Sequence, residues 1–321
     1  MGMSTINSTI KGKAYEYACV LSLRELISAV RKIEILENES LRIAEQRYCQ
    51  ITDKERAEML RSSKAGIQEI IKMEPRITED CDDILTVLLQ PDSIAQKSGD
   101  VRDVLIIRRS KEWEIGISIK HNHSALKHSR LSAKINFGND WLGVSCSKEY
   151  FDEITPIFDK LKILKSLGEK WSQIPDKSTS VYMPILSAFK REFERLDQDN
   201  EDITENLIRY LLGSNGRDYY KLTHNKNRTA TIIPFNLYGT LNTSSKIKKP
   251  DIIIPGVKLP TRIIELAFMG RSQNTLILTM NNGWSISFRI HNASTIVEPS
   301  LKFDIKLQSI PADMFYLNAE W

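Results

Sequence analysis

Cysteine is scarce in these 321 residues: Cys19, Cys49, Cys81 and Cys146 are the four present. They lie about thirty or more residues apart, without CxxC or Cys/His pairing, which excludes a zinc knuckle or a small disulfide scaffold. All four are expected as buried thiols. Long apolar runs are also missing. Ile252-Ile253-Ile254 stops at Pro255, far short of the roughly eighteen residues that a membrane span needs. Met1 to Lys13 is polar and has no apolar stretch, so no secretory signal is expected and the chain is read as cytoplasmic, without a membrane partner. No internal repeat or low-complexity block occurs. Hydrophobic residues at 41% and charged residues at 27% exclude disorder as the main state, and the length suits about two domains.

Acidic residues are thin in two places. The net charge is only +4, yet Arg217 to Asn292 carries eleven Lys/Arg against three acids. His121 to Lys134 contains no acid, while Lys127, Arg130 and Lys134 stand with His121, His123 and His128. Such concentration is the electrostatic footprint of phosphate-backbone binding, and a solvated basic face is the plainer alternative.

The periodicity divides the chain into three parts. Gly12 to Gln90 reads as helical. Cys19, Leu23, Leu26, Ile27, Val30 and Ile33 form one apolar stripe. A second helix spans Thr52 to Met73, opened by a Thr52/Glu55 capping box and limited by Pro75, and a third covers Asp82 to Leu89. A β-hairpin follows, with Val104 to Ile107 and Trp113 to Ile119 around the polar Arg108 to Glu112 turn. Next come a short helix at Ser124 to Leu131, a strand at Trp141 to Ser147 and a helix from Glu149 to about Leu167. Helices at Met183 to Leu196 and Asp202 to Leu212 lead into a β-rich stretch from Tyr219 to Leu307, in which Asn281-Asn282-Gly283 reads as a hairpin turn.

The hairpin carries the chemistry. Asp103 opens its first strand, and Glu114, Gly116, Ser118 and Lys120 share one face of the second, opposite Ile115, Ile117 and Ile119. Antiparallel pairing brings Asp103 beside the end of the second strand, so a carboxylate and an ammonium converge. An Asp able to hold a divalent ion with a Lys next to it is what phosphodiester hydrolysis needs: a Lewis acid on the phosphate and a group that positions water and offsets charge. A surface Asp–Lys cross-strand pair is the alternative.

These residues resemble the PD-(D/E)XK nuclease core. More narrowly, GKAYEYA (Gly12 to Ala18), GDVRDVLI (Gly99 to Ile106), GISIKHNHSALKHSRLS (Gly116 to Ser132) and FGNDWLG (Phe137 to Gly143) resemble the HaeIII family of type II restriction endonucleases. The resemblance implies an α/β fold: a mixed sheet flanked by helices with a β-rich C-terminal DNA-recognition region. It also implies Mg2+-dependent double-strand cleavage at a GGCC palindrome, a homodimer on the DNA and a cognate methyltransferase as functional partner without physical contact. Asp103 would match the metal-ligating Asp, Lys120 the catalytic Lys, and Glu16 the helical Glu that often completes the metal site. The division expected is a nuclease core over 1–167, a helical connector over 168–215 and a basic target-recognition region over 216–321.

Ser118 departs from the pattern, since it stands where the family core has an acid and a hydroxyl cannot supply an anionic ligand. Glu16 is the favoured replacement. Glu114 shares a face with Lys120 but lies six residues earlier, about 20 Å along an extended strand. Asp140 is the third option, and the Ile119 carbonyl could add another hard oxygen to the metal set.

Some strings mislead. Pro91-Asp92 follows the end of an expected helix. Pro250-Asp251 precedes Glu265-Leu266-Ala267, where Ala267 takes the lysine position. His121-Asn122-His123 invites an HNH label, but that name describes residues spread through a ββα metal fold. For DNA contact the candidates are Lys127, Arg130, His123, Asn225, Arg228 and Arg289, because Arg and Lys can bridge guanine O6 and N7. Lys246, Lys248 and Lys249 with Ser244 and Ser245 look like phosphate clamps. The rival readings are a structure-selective nuclease such as a junction resolvase, and a non-catalytic DNA-binding protein.

Overall fold

A computed structural model describes residues 2–79, 82–91, 100–122, 125–213, 216–309, 311 and 313–321. The chain folds into two compact units. One comprises Met1–Ser124, Gly213–Val257 and Asp313–Trp321, the other Ala125–Leu212 and Lys258–Ala312. The boundary expected at 215 lies close to the crossing at 212/213, but none falls at 167, and further crossings come at 124/125, 257/258 and 312/313 because strands distant in sequence complete each sheet.

The first unit is a mixed sheet with helices. Its strands are β1 (Ile33–Ile35), β2 (Leu85–Leu89), β3 (Val104–Arg108), β4 (Trp113–His121), β7 (Tyr219–His224), β8 (Thr229–Phe235) and β13 (Leu317–Glu320), hydrogen-bonded in that order. The β1–β2 and β4–β7 pairs are parallel and the rest antiparallel. Helices α1 (Gly2–Ser28), α2 (Glu39–Gln50) and α3 (Asp53–Met73) belong to this unit. The Thr52/Glu55 capping box starts α3 as the sequence indicates. Small residues on α3 allow close approach. Ser62 and Ser63 hydrogen-bond to Tyr15 and Ser22 of α1, and a Cβ on Gly66 would fall 2.3 Å from Leu222 of β7.

The expected helix at Asp82 to Leu89 is strand β2. Its five-residue run is too short for a helical stripe, and four of its residues are buried, the mark of a strand inside a sheet. Likewise α1 ends at Ser28 rather than continuing, and β1 pairs with β2.

The second unit holds the other sheet, with β5 (Ala125–Lys127), β12 (Leu301–Ser309), β11 (Ser285–His291), β10 (Thr275–Met280) and β9 (Ile263–Phe268) in order, and β6 (Arg130–Leu131) also on β12. Helices α4 (Lys148–Ser166), α5 (Met183–Asp199) and α6 (Ile203–Leu212) match the periodicity. The short helix expected at Ser124 to Leu131 is instead β5 and β6, because pairing with β12 supplies their backbone partners. The strand expected at Trp141 to Ser147 is a π-helical turn at Gly138–Leu142. There Phe137 and Trp141 pack with Phe189, and a Cβ on Gly138 would meet the Val144 carbonyl at 2.4 Å. Asn281-Asn282-Gly283 does turn β10 into β11, with φ of 58° at Asn282 and 80° at Gly283.

Cys19 is buried, Cys146 is partly buried and Cys49 is exposed, so the expectation of four buried thiols fails at Cys49; Cys81 lies outside the described residues. No described helix is long and apolar enough to cross a membrane.

Candidate active site

The hairpin forms as its alternation indicates. Val104 pairs with Ile117, so Asp103 comes opposite Ser118, and its N–H donates to the Ile117 carbonyl at 2.9 Å. Ile115, Ile117 and Ile119 bury one face in the core. That burial fixes the register, since a slip by one residue would reverse the faces. Asp103 Oδ2 then accepts from the Ile119 N–H at 2.5 Å, from Lys120 Nζ at 3.1 Å and from the Ser118 hydroxyl at 3.5 Å.

Glu16 joins from α1. It is 7% exposed, and Lys13 Nζ donates to its Oε2 at 3.0 Å. Burial first and the negative charge of Asp103 second push its carboxyl up to about 7, against the pull of Lys13 and Lys120. Asp103, Glu16 and Lys120 therefore share one electrostatic site. Among the described residues no three His, Cys, Asp or Glu side chains gather as a metal cage. Two carboxylates make a hard-oxygen set that fits a cation retaining several waters, as magnesium does, better than it fits zinc.

The other acids are placed elsewhere. Glu114 binds Arg102 at 2.9 Å and also pairs with Arg217. Asp140 belongs to the second unit, where its N–H bonds to the Asn136 carbonyl and its carboxylate accepts from Asn139. The two halves of the Pro250-to-Ala267 decoy fall in different units, Asp251 in the first and Glu265 in the second; Asp251 pairs with Lys248 at 3.2 Å. Asp92 and His123 lie outside the described residues.

Two features of the site escaped the sequence reading. Lys221 of β7 is in register with Ser118 and only 7% exposed; burial first and Lys120 second lower its ammonium to about 8. Nothing in a β-rich run marks a lysine as buried next to a strand 100 or more positions away, because parallel pairing is non-local. Arg102 is the other. It grips Asp100 through Nε at 2.9 Å and Nη2 at 2.6 Å and lies across Gly116, where a Cβ would come 2.1 Å from its Cδ. The glycine in the strand is the signal that could have revealed this close approach.

The residues expected to contact DNA are scattered. The eleven basic residues of 217–292 divide between the units, seven in 213–257 and four beyond it. Lys127 is engaged within its own unit, its ammonium 3.6 Å from the Tyr210 ring centre and donating to the Tyr210 carbonyl at 2.9 Å; burial lowers it to about 8. Arg130 is exposed and donates to the Ser300 hydroxyl at 2.9 Å. Asn225 uses its amide on Thr229 and Thr231 to hold the β7–β8 turn. Arg228 is exposed on that turn with φ of 56°, and Arg289 is exposed on β11. In the Ser244-to-Lys249 segment, the Ser245 hydroxyl accepts from the Ile247 and Lys248 N–H groups, and Lys248 is the partner of Asp251.

The family model for HaeIII restriction endonuclease matches residues 12–311. The chain belongs to the HaeIII restriction endonuclease family. It is 44% identical over 316 residues to the type II restriction enzyme HaeIII of Haemophilus aegyptius, covering 98% of each chain. No solved structure matches it. As a member of this family it is a type II site-specific deoxyribonuclease of a restriction-modification system, acting on double-stranded DNA. Site-specific cleavage replaces the structure-selective and non-catalytic alternatives.

Proposed function

We propose that this nuclease cuts DNA at the palindrome GGCC with Mg2+, using Asp103, Glu16 and Lys120 as its active group within a PD-(D/E)XK core. The convergence of these three side chains from one helix and one hairpin carries the reading. Asp103 and Glu16, with the Ile119 carbonyl, would hold the ion. When bound, the ion supplies a Lewis acid at the scissile phosphate and lowers the pKa of water.

The chain's own groups do the rest. The Ile119 N–H orients the Asp103 carboxylate. Lys120 presents its ammonium to the phosphoryl oxygens, where negative charge builds, and orients the attacking water. Glu16, raised to about 7, loses its proton as the site loads and takes the place of the acid that Ser118 cannot be. Lys221 adds positive charge behind Lys120.

Arg228 and Arg289 are exposed guanidinium groups able to bridge guanine O6 and N7, and Asn225, Arg130 and Lys127 are assigned to positioning the backbone. One such site cleaves one strand, so a palindrome calls for a homodimer with two-fold symmetry on the DNA. A cytoplasmic methyltransferase that modifies the same sequence completes the system without contact.

A digest of DNA of known sequence, with fragment ends mapped, tests the reading. Cuts at every GGCC in Mg2+ and none in EDTA are expected. Ends mapping to another sequence would remove the specificity, and undiminished cutting in EDTA would remove the ion.

A further inference from the structure

The turn end of the β3–β4 hairpin borders a cavity of about 280 Å³, lined among others by Arg76, Arg108, Lys111, Trp113, Ser244 and Lys246. All of these belong to the first unit. Trp113 stands seven residues before Lys120 on β4, about 23 Å along an extended strand, so the cavity is remote from Asp103 and Lys120. No carboxylate is among the described residues that line it.

Hydrogen bonds fix its walls. Arg76 donates through Nε to the Ser244 carbonyl at 3.0 Å, which ties the 3-10 turn Pro75–Ile77 after α3 to the 244–249 loop. That loop is closed on itself. The Ser245 N–H donates to the Lys248 carbonyl at 2.9 Å, and the Ser245 hydroxyl accepts from the Lys248 N–H at 2.9 Å. A wall held this way needs little ordering when a ligand arrives.

The cations differ in what they can offer. Arg108 is 2% exposed and its fork is committed to Asp83. Lys111 pairs with Asp82 at 2.7 Å, but that carboxylate is 59% exposed, and water screens such a pair enough for another anion to share the ammonium. Ser244 and Lys246 are exposed. The Nε bond of Arg76 to a carbonyl leaves the Nη edge of its fork, the planar donor pair that matches a phosphoryl group. The buried Glu74 carboxyl also feels Arg76, but its hydrogen bonds come from Tyr220 and Asn242. Cations outnumber carboxylates here: Arg31 and Arg108 bear on Asp83 and Lys111 on Asp82, with Arg76 and Lys246 in addition.

We propose that this cavity binds a phosphate group. Two sources share that chemistry, a backbone phosphate of DNA outside the recognition sequence and a free phosphate anion. At about 3.4 Å per base pair, 23 Å corresponds to about seven base pairs of duplex, so a DNA phosphate held here positions the duplex without reading it.

Two measurements on the whole protein, with wild type, K246A and R76Q, test this. Inorganic phosphate titrated calorimetrically into metal-free protein, in chloride buffer of constant ionic strength, should bind the variants at least about fivefold more weakly than wild type. Kd in metal-free buffer is then compared for duplexes with about three and about twelve base pairs flanking the site, where lengthening should favour wild type over the variants by about threefold, and each variant should lower the salt slope of the long duplex by about one. Weaker phosphate binding with an unchanged length effect assigns the cavity to the free anion; loss of the length effect assigns it to DNA. If R76Q does not fold, K246A alone makes the comparison. Equal phosphate affinity and equal length dependence in wild type and variants would overturn the proposal, as would phosphate binding lost in K120A and kept in K246A, which would put the anion at the active site.

Discussion

The two ends of the β3–β4 hairpin each hold aspartate beside basic residues, and they use them differently. At the turn end, Arg108 is 2% exposed and grips Asp83 through Nε at 3.0 Å and Nη2 at 2.8 Å. Arg31 pairs with the same carboxylate, and the Ser110 hydroxyl donates to it at 2.6 Å. Burial alone would raise Asp83, but the bonds from Arg108 and Ser110 outweigh it and hold the carboxyl at about 2. At the open end no arginine pairs with Glu16 or Asp103 among the described residues. Lys13 and Lys120 contact these carboxylates instead, and Glu16 rises to about 7. Guanidinium forks lock a charge into the fold, whereas point-charge lysines leave carboxylate lone pairs open, as the proposed cation requires.

The largest effect should come from the open end. Asp103→Ala and Lys120→Ala should each lower the single-turnover cleavage rate by about a thousandfold or more while metal-free DNA binding stays near wild type. Full cleavage by either would erase the functional difference between the ends. At the turn end, Arg108→Ala should cost about 3–5 kcal/mol in urea unfolding, because it removes a buried guanidinium from its pair with the partly buried Asp83. The folded fraction should still cleave. Because Asp83 is depressed, its contribution is present above the ordinary carboxylate range and is lost as pH falls towards 2.

Glu16→Gln sharpens the contrast through its sign. A carboxyl raised to about 7 binds more protons folded than unfolded, so its cost appears as pH rises from the ordinary range and is complete above 7. The variant should therefore be more stable than wild type at pH 8, by on the order of 2 kcal/mol, with no gain at pH 4. Its cleavage should fall about a hundredfold and lose the rise in rate between pH 6 and 8, followed by a pH–rate profile. Mg2+ should raise the wild-type unfolding free energy by about 1 kcal/mol more at pH 8 than at pH 5.5, since protons and cation compete for Glu16. The smallest effect among the substitutions is at Gly116→Ala, which displaces Arg102 from the strand and should cost about 1 kcal/mol, read from thermal unfolding.

Much of this was legible in the chain. The capping box at Thr52, the hairpin with Asp103 and Lys120, the three later helices and strands around Asn281-Asn282-Gly283 follow from spacing that acts within a few residues. Leu85–Leu89 was misread because a five-residue apolar run has no period of its own, and its strand character comes from β1 and β3 on either side. The β5–β6 segment was misread for the same reason, with β12 deciding it. Ser118 marked a missing acid without saying which residue replaces it. Packing of α1 brings Glu16 to the site, while Arg102 and Arg217 hold Glu114.

The sequence by itself determined the local elements and the aspartate–lysine hairpin, because helix caps, alternation and tight turns are interactions between near neighbours. Only the tertiary structure decided that residues 213–257 complete the sheet of the first unit, that Lys221 lies buried beside Ser118, and that Glu16 rather than Glu114 shares the charge of Asp103. Those outcomes depend on strand pairing and burial between segments far apart in the chain, and no short pattern of residues encodes them.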